Sequence, residues 1–267
     1  MSRGVGWDWP FPSRGPLTGY AHGAAGIAWA LLELASRTGE ERFRSAARDA
    51  IDYERSLFSS EVGNWPDLRV LGTSPEEPNA APLRYPTTWC YGAPGIGLAR
   101  LRCLRHLNDP MLLTEIDTAL RTTRTKGFGL SHILCHGDLG NLELFVEAER
   151  AGLNGLARFR EDEPPGEPVS AAGSGGQGRP PHWPRPPRIT KPRLEPLGRT
   201  EVNGRAAGIL NSIERDGWLC ANPRRLESPG LMTGLAGIGY QLLRLARPET
   251  VPTVLTLEAP RKQAKAR

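Results

Sequence analysis

Four times in this chain two glycines three residues apart open an apolar helical pattern. The copies read His22-Gly23-Ala24-Ala25-Gly26, Tyr91-Gly92-Ala93-Pro94-Gly95, His136-Gly137-Asp138-Leu139-Gly140 and Thr233-Gly234-Leu235-Ala236-Gly237. The first glycines lie 69, 45 and 97 residues apart. After the first copy, Ile27, Ala30, Leu31, Leu34 and Ala35 fall on one helical face. After the last, Leu235, Ile238, Gly239 and Leu242 do the same. Helices apolar around so much of their circumference belong inside a structure. Between them run ordinary amphipathic stripes: Phe43, Ala46, Ala47, Ala50, Ile51, Leu57 and Phe58; Leu112, Leu113, Ile116, Ala119, Leu120 and Thr123; Ala206, Ile209, Leu210 and Ile213. The repeating unit is therefore an outer amphipathic helix, a loop and a glycine-led inner helix. Units that cannot bury their apolar faces alone must stack, which makes an α/α solenoid or a closed toroid. No segment alternates with period two, so the expected fold is all-α.

The long last interval has a compositional cause. Residues 161–200 hold ten prolines and six glycines, 40% of the window. That exceeds the roughly 25–30% at which low-complexity disorder becomes the better reading. With few large apolar residues, this stretch cannot offset the entropy of ordering. The expected organisation is helical repeats over 1–160, a disordered insertion over 161–203, a last hairpin over 204–257 and a basic tail over 258–267. A frame error within the insertion stays open as an alternative.

Of the 267 residues 24% are charged, with a net charge of +5. No basic-aromatic pattern marks a nucleic-acid surface. No apolar run reaches the roughly 18 residues of a membrane span, and the first 16 residues lack the form of a signal peptide. A cytoplasmic protein is expected, so the four cysteines, at 90, 103, 135 and 220, should be thiols or metal ligands.

Their surroundings differ. Cys103 sits among Leu98, Leu101, Leu104 and Leu107, and reads as a core thiol; Cys220, beside Trp218, reads as structural. Cys90 and the adjacent pair Cys135-His136 instead stand where inner helices begin. Two thiolates and an imidazole are the donors zinc prefers, and three protein ligands leave the open position of a catalytic site. A loop-to-helix junction opened by glycine lets neighbouring residues face one ion, and helix N-termini favour the thiolate. One zinc per chain is expected on Cys90, Cys135 and His136. Tyr91 reads as a packing aromatic, and Asp138 as a helix N-terminal charge. Trp65 and Asp67 are equally suited to a peptide cleft and to loop packing.

Ala21-His22-Gly23, then Trp89-Cys90-Tyr91-Gly92, then Cys135-His136-Gly137, each opening a glycine helix, resemble the lanthionine synthetase C-like family. Residues 17–31 are most similar to the cyclase domain of bacterial two-function (class II) lanthipeptide synthetases. The resemblance covers roughly residues 5–155 and 204–257. It implies an α/α toroid of six or seven hairpins, and the same three zinc ligands. It assigns His22 as the active-site acid/base. It implies a dehydrated precursor peptide as substrate, joined by a thioether between a cysteine and a dehydroalanine or dehydrobutyrine.

The chain departs from the family pattern in several places. It supplies four glycine helices and three outer ones, so an incomplete toroid is expected. An active-site Asp that precedes the Ala-His-Gly motif in the family has no equivalent. Pro86 stands where members often carry an Arg four residues before the zinc Cys, and the nearest Arg is Arg84. Self-association, or reliance on a separately encoded amino-terminal synthetase half, is expected to follow. Two other readings stay open: a non-catalytic zinc-containing module that binds a peptide or glutathione, and an inactive fragment of a synthetase.

Overall fold

The computed structural model describes residues 13–70, 82–153, 200–221 and 226–260. Within them lie seven α-helices: α1 Ala24–Thr38, α2 Glu41–Ser56, α3 Ala93–Cys103, α4 Met111–Lys126, α5 Asp138–Arg150, α6 Thr200–Asp216 and α7 Leu235–Ala246. Among the described residues the only strand-like pairing is three isolated bridges, Ser13 with Arg69, Ser59 with Asn64, and Asp67 with Arg84. The all-α expectation holds, with inner and outer helices where the periodicity places them. Residues 161–199 of the expected insertion, and 261–267 of the basic tail, lie outside the described residues. The helix α6 begins at Thr200, four residues before the expected boundary.

The inner helices α1, α3, α5 and α7 form a row in chain order. Behind them, α2 packs on α1, α4 on α3, and α6 on α5. This two-layer order is that of an α/α toroid. Every residue of α3 is buried, as is α5 from Asp138 to Ala148. The helices at the ends of the row, α1 and α7, keep exposed apolar side chains, Leu34 and Leu243. A short 3₁₀ turn, Val254–Thr256, closes the row on the side of α3, where Arg102 donates to the Thr256 hydroxyl at 2.8 Å.

The repeated glycines have one repeated cause. A Cβ built on the second glycine of each motif would meet the backbone oxygen six residues earlier. The distances are 2.0 Å from Gly26 to Tyr20, 1.9 Å from Gly95 to Trp89, and 1.7 Å from both Gly140 to Leu134 and Gly237 to Leu231. The loop before each inner helix curls beneath the helix's first turn, and only glycine leaves room for it. The curl also replaces a capping side chain, because the first helical N–H donates to a carbonyl seven residues back. Ala24 bonds Leu17 at 2.9 Å, Asp138 bonds Ser131 at 2.7 Å, and Leu235 bonds Ser228 at 2.7 Å. At α3, where Gly92 takes the positive φ of 93°, the Asn64 side-chain oxygen accepts the Ala93 N–H instead, at 2.9 Å.

Apolar spacing does not reveal the ions inside. Arg100 of α3 is fully buried and joins Glu115 of α4 at 2.6 Å and Glu54 of α2 at 2.9 Å. Glu54 in turn accepts the Gly19 N–H at 2.8 Å. Arg244 of α7 joins Glu143 of α5 at 2.8 Å. These pairs fix one hairpin's register against the next. Arg100→Met should lower unfolding free energy by about 3–5 kcal/mol, because it leaves buried Glu54 without its cation and Glu115 with Arg55 as its remaining one, at 2.6 Å. Denaturant titration measures that loss.

Candidate metal centre

The four curled loops lie side by side, and a backbone ladder joins them. The residue two before each first glycine donates its N–H to the matching residue of the next repeat. Ala21 donates to Cys90 at 3.3 Å, Cys90 to Cys135 at 3.2 Å, and Cys135 to Met232 at 2.9 Å. The ladder brings together residues that lie 45 apart in sequence. The sulfurs of Cys90 and Cys135 and a ring nitrogen of His136 all fall within 4.8 Å of one another. Ligands about 2.0–2.3 Å from a tetrahedral zinc stand roughly 3.5–3.8 Å apart. The donor set and its spread therefore fit one zinc ion after small rotations.

Each ligand is held by its own turn. The Thr88 hydroxyl donates to the Tyr91 carbonyl at 3.0 Å and lies 3.4 Å from the Cys90 sulfur. Cys90 is buried, and Cys135 and His136 are partly buried. The Cys90 thiol is pulled down to about 5. The hydrogen bond from Cys135 does most of this, against burial, and His136 and Thr88 add to it. Cys135, the donor in that bond, is pushed up by it and by burial. The two thiols are hydrogen-bonded to each other, and a divalent cation displaces the protons of such ligands when it binds.

Around this cluster stand residues of two kinds. His22, expected as an acid/base, is exposed and lines a cavity of about 600 Å³ with Tyr20, Trp29 and Leu257. Its ring centroid lies 5.9 Å from that of Tyr91. Tyr91 was expected only to pack. It is buried, and burial pushes its phenol up to about 12, while its ring also meets Arg69, whose guanidinium carbon lies 3.7 Å from the ring centroid. Asp67 meets Arg69 at 2.6 Å, whereas Trp65 is core, 4.8 Å from the Phe58 ring. Sequence reasoning passed over Arg69. The signal for it was the i, i+2 spacing from Asp67 in an extended segment, which puts both side chains on one face. Arg84 is exposed, and its carbonyl accepts the Asp67 N–H at 2.7 Å.

The remaining candidates are structural. Cys103 is fully buried and its thiol is pushed up to about 12 by that burial. Cys220 is buried as well. Asp138 turns its carboxylate back onto the N–H groups of Gly129 and Leu130, at 3.0 and 3.3 Å, and so fastens the loop ahead of Cys135. In the same loop His132 Nδ1 accepts the Leu219 N–H at 3.0 Å.

The family model for lanthionine synthetase C-like proteins matches residues 3–154 and 189–256. The chain belongs to the lanthionine synthetase C-like family. Among curated relatives, this family member is similar to the lacticin 481/lactococcin biosynthesis protein LcnDR2 of Lactococcus lactis subsp. lactis. The two are 23% identical over 238 residues, 85% of this chain and 20% of the relative. Among solved structures it is similar to nisin cyclase, with a TM-score of 0.50, 19% identity, and coverage of 87% of this chain and 47% of that one. This likeness shows the all-α toroid fold. The chain thus spans about a fifth and about half the lengths of these two relatives. Among its described residues, no helix of this lanthionine synthetase C-like chain is long and apolar enough to cross a membrane.

Proposed function

We propose that this chain carries the zinc centre of a lanthionine cyclase. In this reading it joins a cysteine of a dehydrated precursor peptide to a dehydroalanine or dehydrobutyrine through a thioether. The observation that carries the reading is the convergence of the Cys90, Cys135 and His136 donor atoms within 4.8 Å at the starts of adjacent inner helices. Family membership and the names of the two relatives support it. Zinc, when bound, supplies the positive charge that lowers an incoming thiol's pKa. Cys90, Cys135 and His136 would hold it, leaving one position for that thiol.

The chain's other residues serve the carbon that reacts. Thiolate attack on the β-carbon makes the carbon–sulfur bond and sends the double-bond electrons toward the neighbouring carbonyl. The α-carbon must then receive a proton. In this reading His22 delivers it, and its position lining the apolar cavity beside Tyr91 supports that role.

Incubation with a dehydrated peptide bearing one cysteine tests the reading. Ring closure leaves the mass unchanged but removes a thiol, so alkylation of the product counts rings. One thiol lost per peptide supports the proposal, and full thiol retention with zinc-loaded protein contradicts it. In that assay His22→Asn should slow ring formation by about 100-fold at unchanged zinc content, the size typical of a lost proton donor.

A further inference from the structure

The cyclase reading leaves one charge at the site without a task. Arg69 is pinned more firmly than a loop arginine requires. The Asp67 carboxylate, itself buried, takes its Nε at 2.9 Å and its Nη2 at 2.6 Å. Tyr91 covers one face of the guanidinium at 3.7 Å. Among the described residues, Nη1 makes no hydrogen bond, and the side chain keeps 30% of its exposure. The segment that carries it is tied to both neighbouring loops. Asn64 bonds the Pro86 carbonyl and the Ala93 N–H, at 3.0 and 2.9 Å, below α3. The Thr18 hydroxyl, in the loop before His22, donates to the Pro66 carbonyl. The loop of His22, the Cys90 turn and the Arg69 segment are thus tied to one another, and the Tyr91 ring neighbours both the imidazole, at 5.9 Å between centroids, and the guanidinium, at 3.7 Å.

From this geometry we infer that Arg69 is a catalytic residue whose free Nη1 edge binds the oxygen of the dehydro residue's carbonyl as it becomes anionic, and so stabilises the enolate. The inference rests on the cyclase reading. As the carbon–sulfur bond forms, the broken π bond leaves its electron pair on the enolate. The proton given up by the thiol passes to water, and His22 returns one to the α-carbon, so charge and atoms balance. A fixed guanidinium aimed at an oxygen that becomes anionic only during reaction needs no reorganisation at that moment. Asp67 and Tyr91 serve as its frame: the carboxylate sets the plane and the phenol ring sets the height.

The test is affinity for an anionic mimic of that oxygen, a peptide in which a phosphinate replaces the dehydro residue's carbonyl. Calorimetry on the zinc-loaded full chain compares it with the neutral parent peptide. Arg69→Gln should weaken the phosphinate peptide by about 10- to 100-fold, the size of a lost charge-assisted hydrogen-bond pair. Binding of the neutral parent should stay within about twofold, because its carbonyl carries no charge for Arg69 to recognise. Arg69→Gln strands the buried Asp67, so Asp67→Asn/Arg69→Gln provides a second variant with no unpaired charge and the same expectation. Equal phosphinate affinity in either folded variant and the parent protein overturns the inference. So does an equal loss for both peptides, which would make Arg69 a docking contact only. Ring formation by the unaltered chain is scored separately. Its absence counts against the cyclase reading, while the phosphinate comparison still decides Arg69.

Discussion

Gly140→Ala is expected to destabilise the protein by about 3 kcal/mol, the upper end for overpacking, and to strip the metal site with it. The added Cβ would stand 1.7 Å from the Leu134 carbonyl oxygen and 2.7 Å from its carbon, which are backbone atoms with no rotamer to escape by. The loop must move by more than 1 Å, on the order of the gap to ordinary contact. That loop continues into Cys135, whose N–H bonds Met232 and whose carbonyl accepts from Cys90. Zinc affinity should therefore fall by about 100-fold, the loss seen when groups that orient ligands are displaced. Gly239 is the control. It sits in the same kind of helix, and a Cβ there meets nothing within 4 Å. Gly239→Ala should be neutral, or stabilising by up to about 1 kcal/mol through helix propensity. Chemical denaturation and metal titration of both variants give the comparison. Equal stability of the two would show that the curled loop does not dictate the glycine.

Cys135→Ala is expected to weaken zinc binding by several hundredfold while leaving the helices intact. Apparent zinc binding worth about 10–16 kcal/mol over four ligands implies roughly 3–4 kcal/mol for each, hence about 400-fold. The fold has little need of this thiol. It is partly exposed, and the ladder runs through its backbone rather than its sulfur. Losing it also frees Cys90 of the hydrogen bond that holds its pKa near 5. Competition against a chromophoric chelator, with far-ultraviolet circular dichroism as the check on folding, measures both halves. Unchanged affinity in Cys135→Ala would remove this residue from the site.

The candidate donor set could be proposed from the sequence because chemistry restricts it. Few residue types bind zinc, and Cys90 and Cys135 stand at equivalent positions of a repeat that glycines make visible, with His136 beside the second. The inner and outer helices were legible for a similar reason, since stacking units must display their apolar faces with a fixed period. What joins the repeats was not legible. The ladder from Ala21 to Met232 uses backbone groups, which every residue has. The buried Arg100 and Arg244 break the apolar pattern rather than extend it, and their carboxylate partners lie on other helices. Arg69 lies 21 residues before Cys90, and only the tertiary fold lays its guanidinium on Tyr91. Tyr91 itself was read as packing because a buried aromatic is the commoner case, and a tyrosine's neighbours across a repeat cannot be read from spacing.

The central claim, that these three side chains make one metal centre, is tested most directly by zinc K-edge X-ray absorption on the metal-loaded chain. The expected spectrum has two sulfur ligands at about 2.3 Å, one imidazole nitrogen at about 2.0–2.1 Å, and a fourth light ligand. Adding a cysteine peptide should raise the sulfur count to three. A shell of oxygen and nitrogen alone, or four sulfurs before any peptide is added, would contradict the assignment of Cys90, Cys135 and His136.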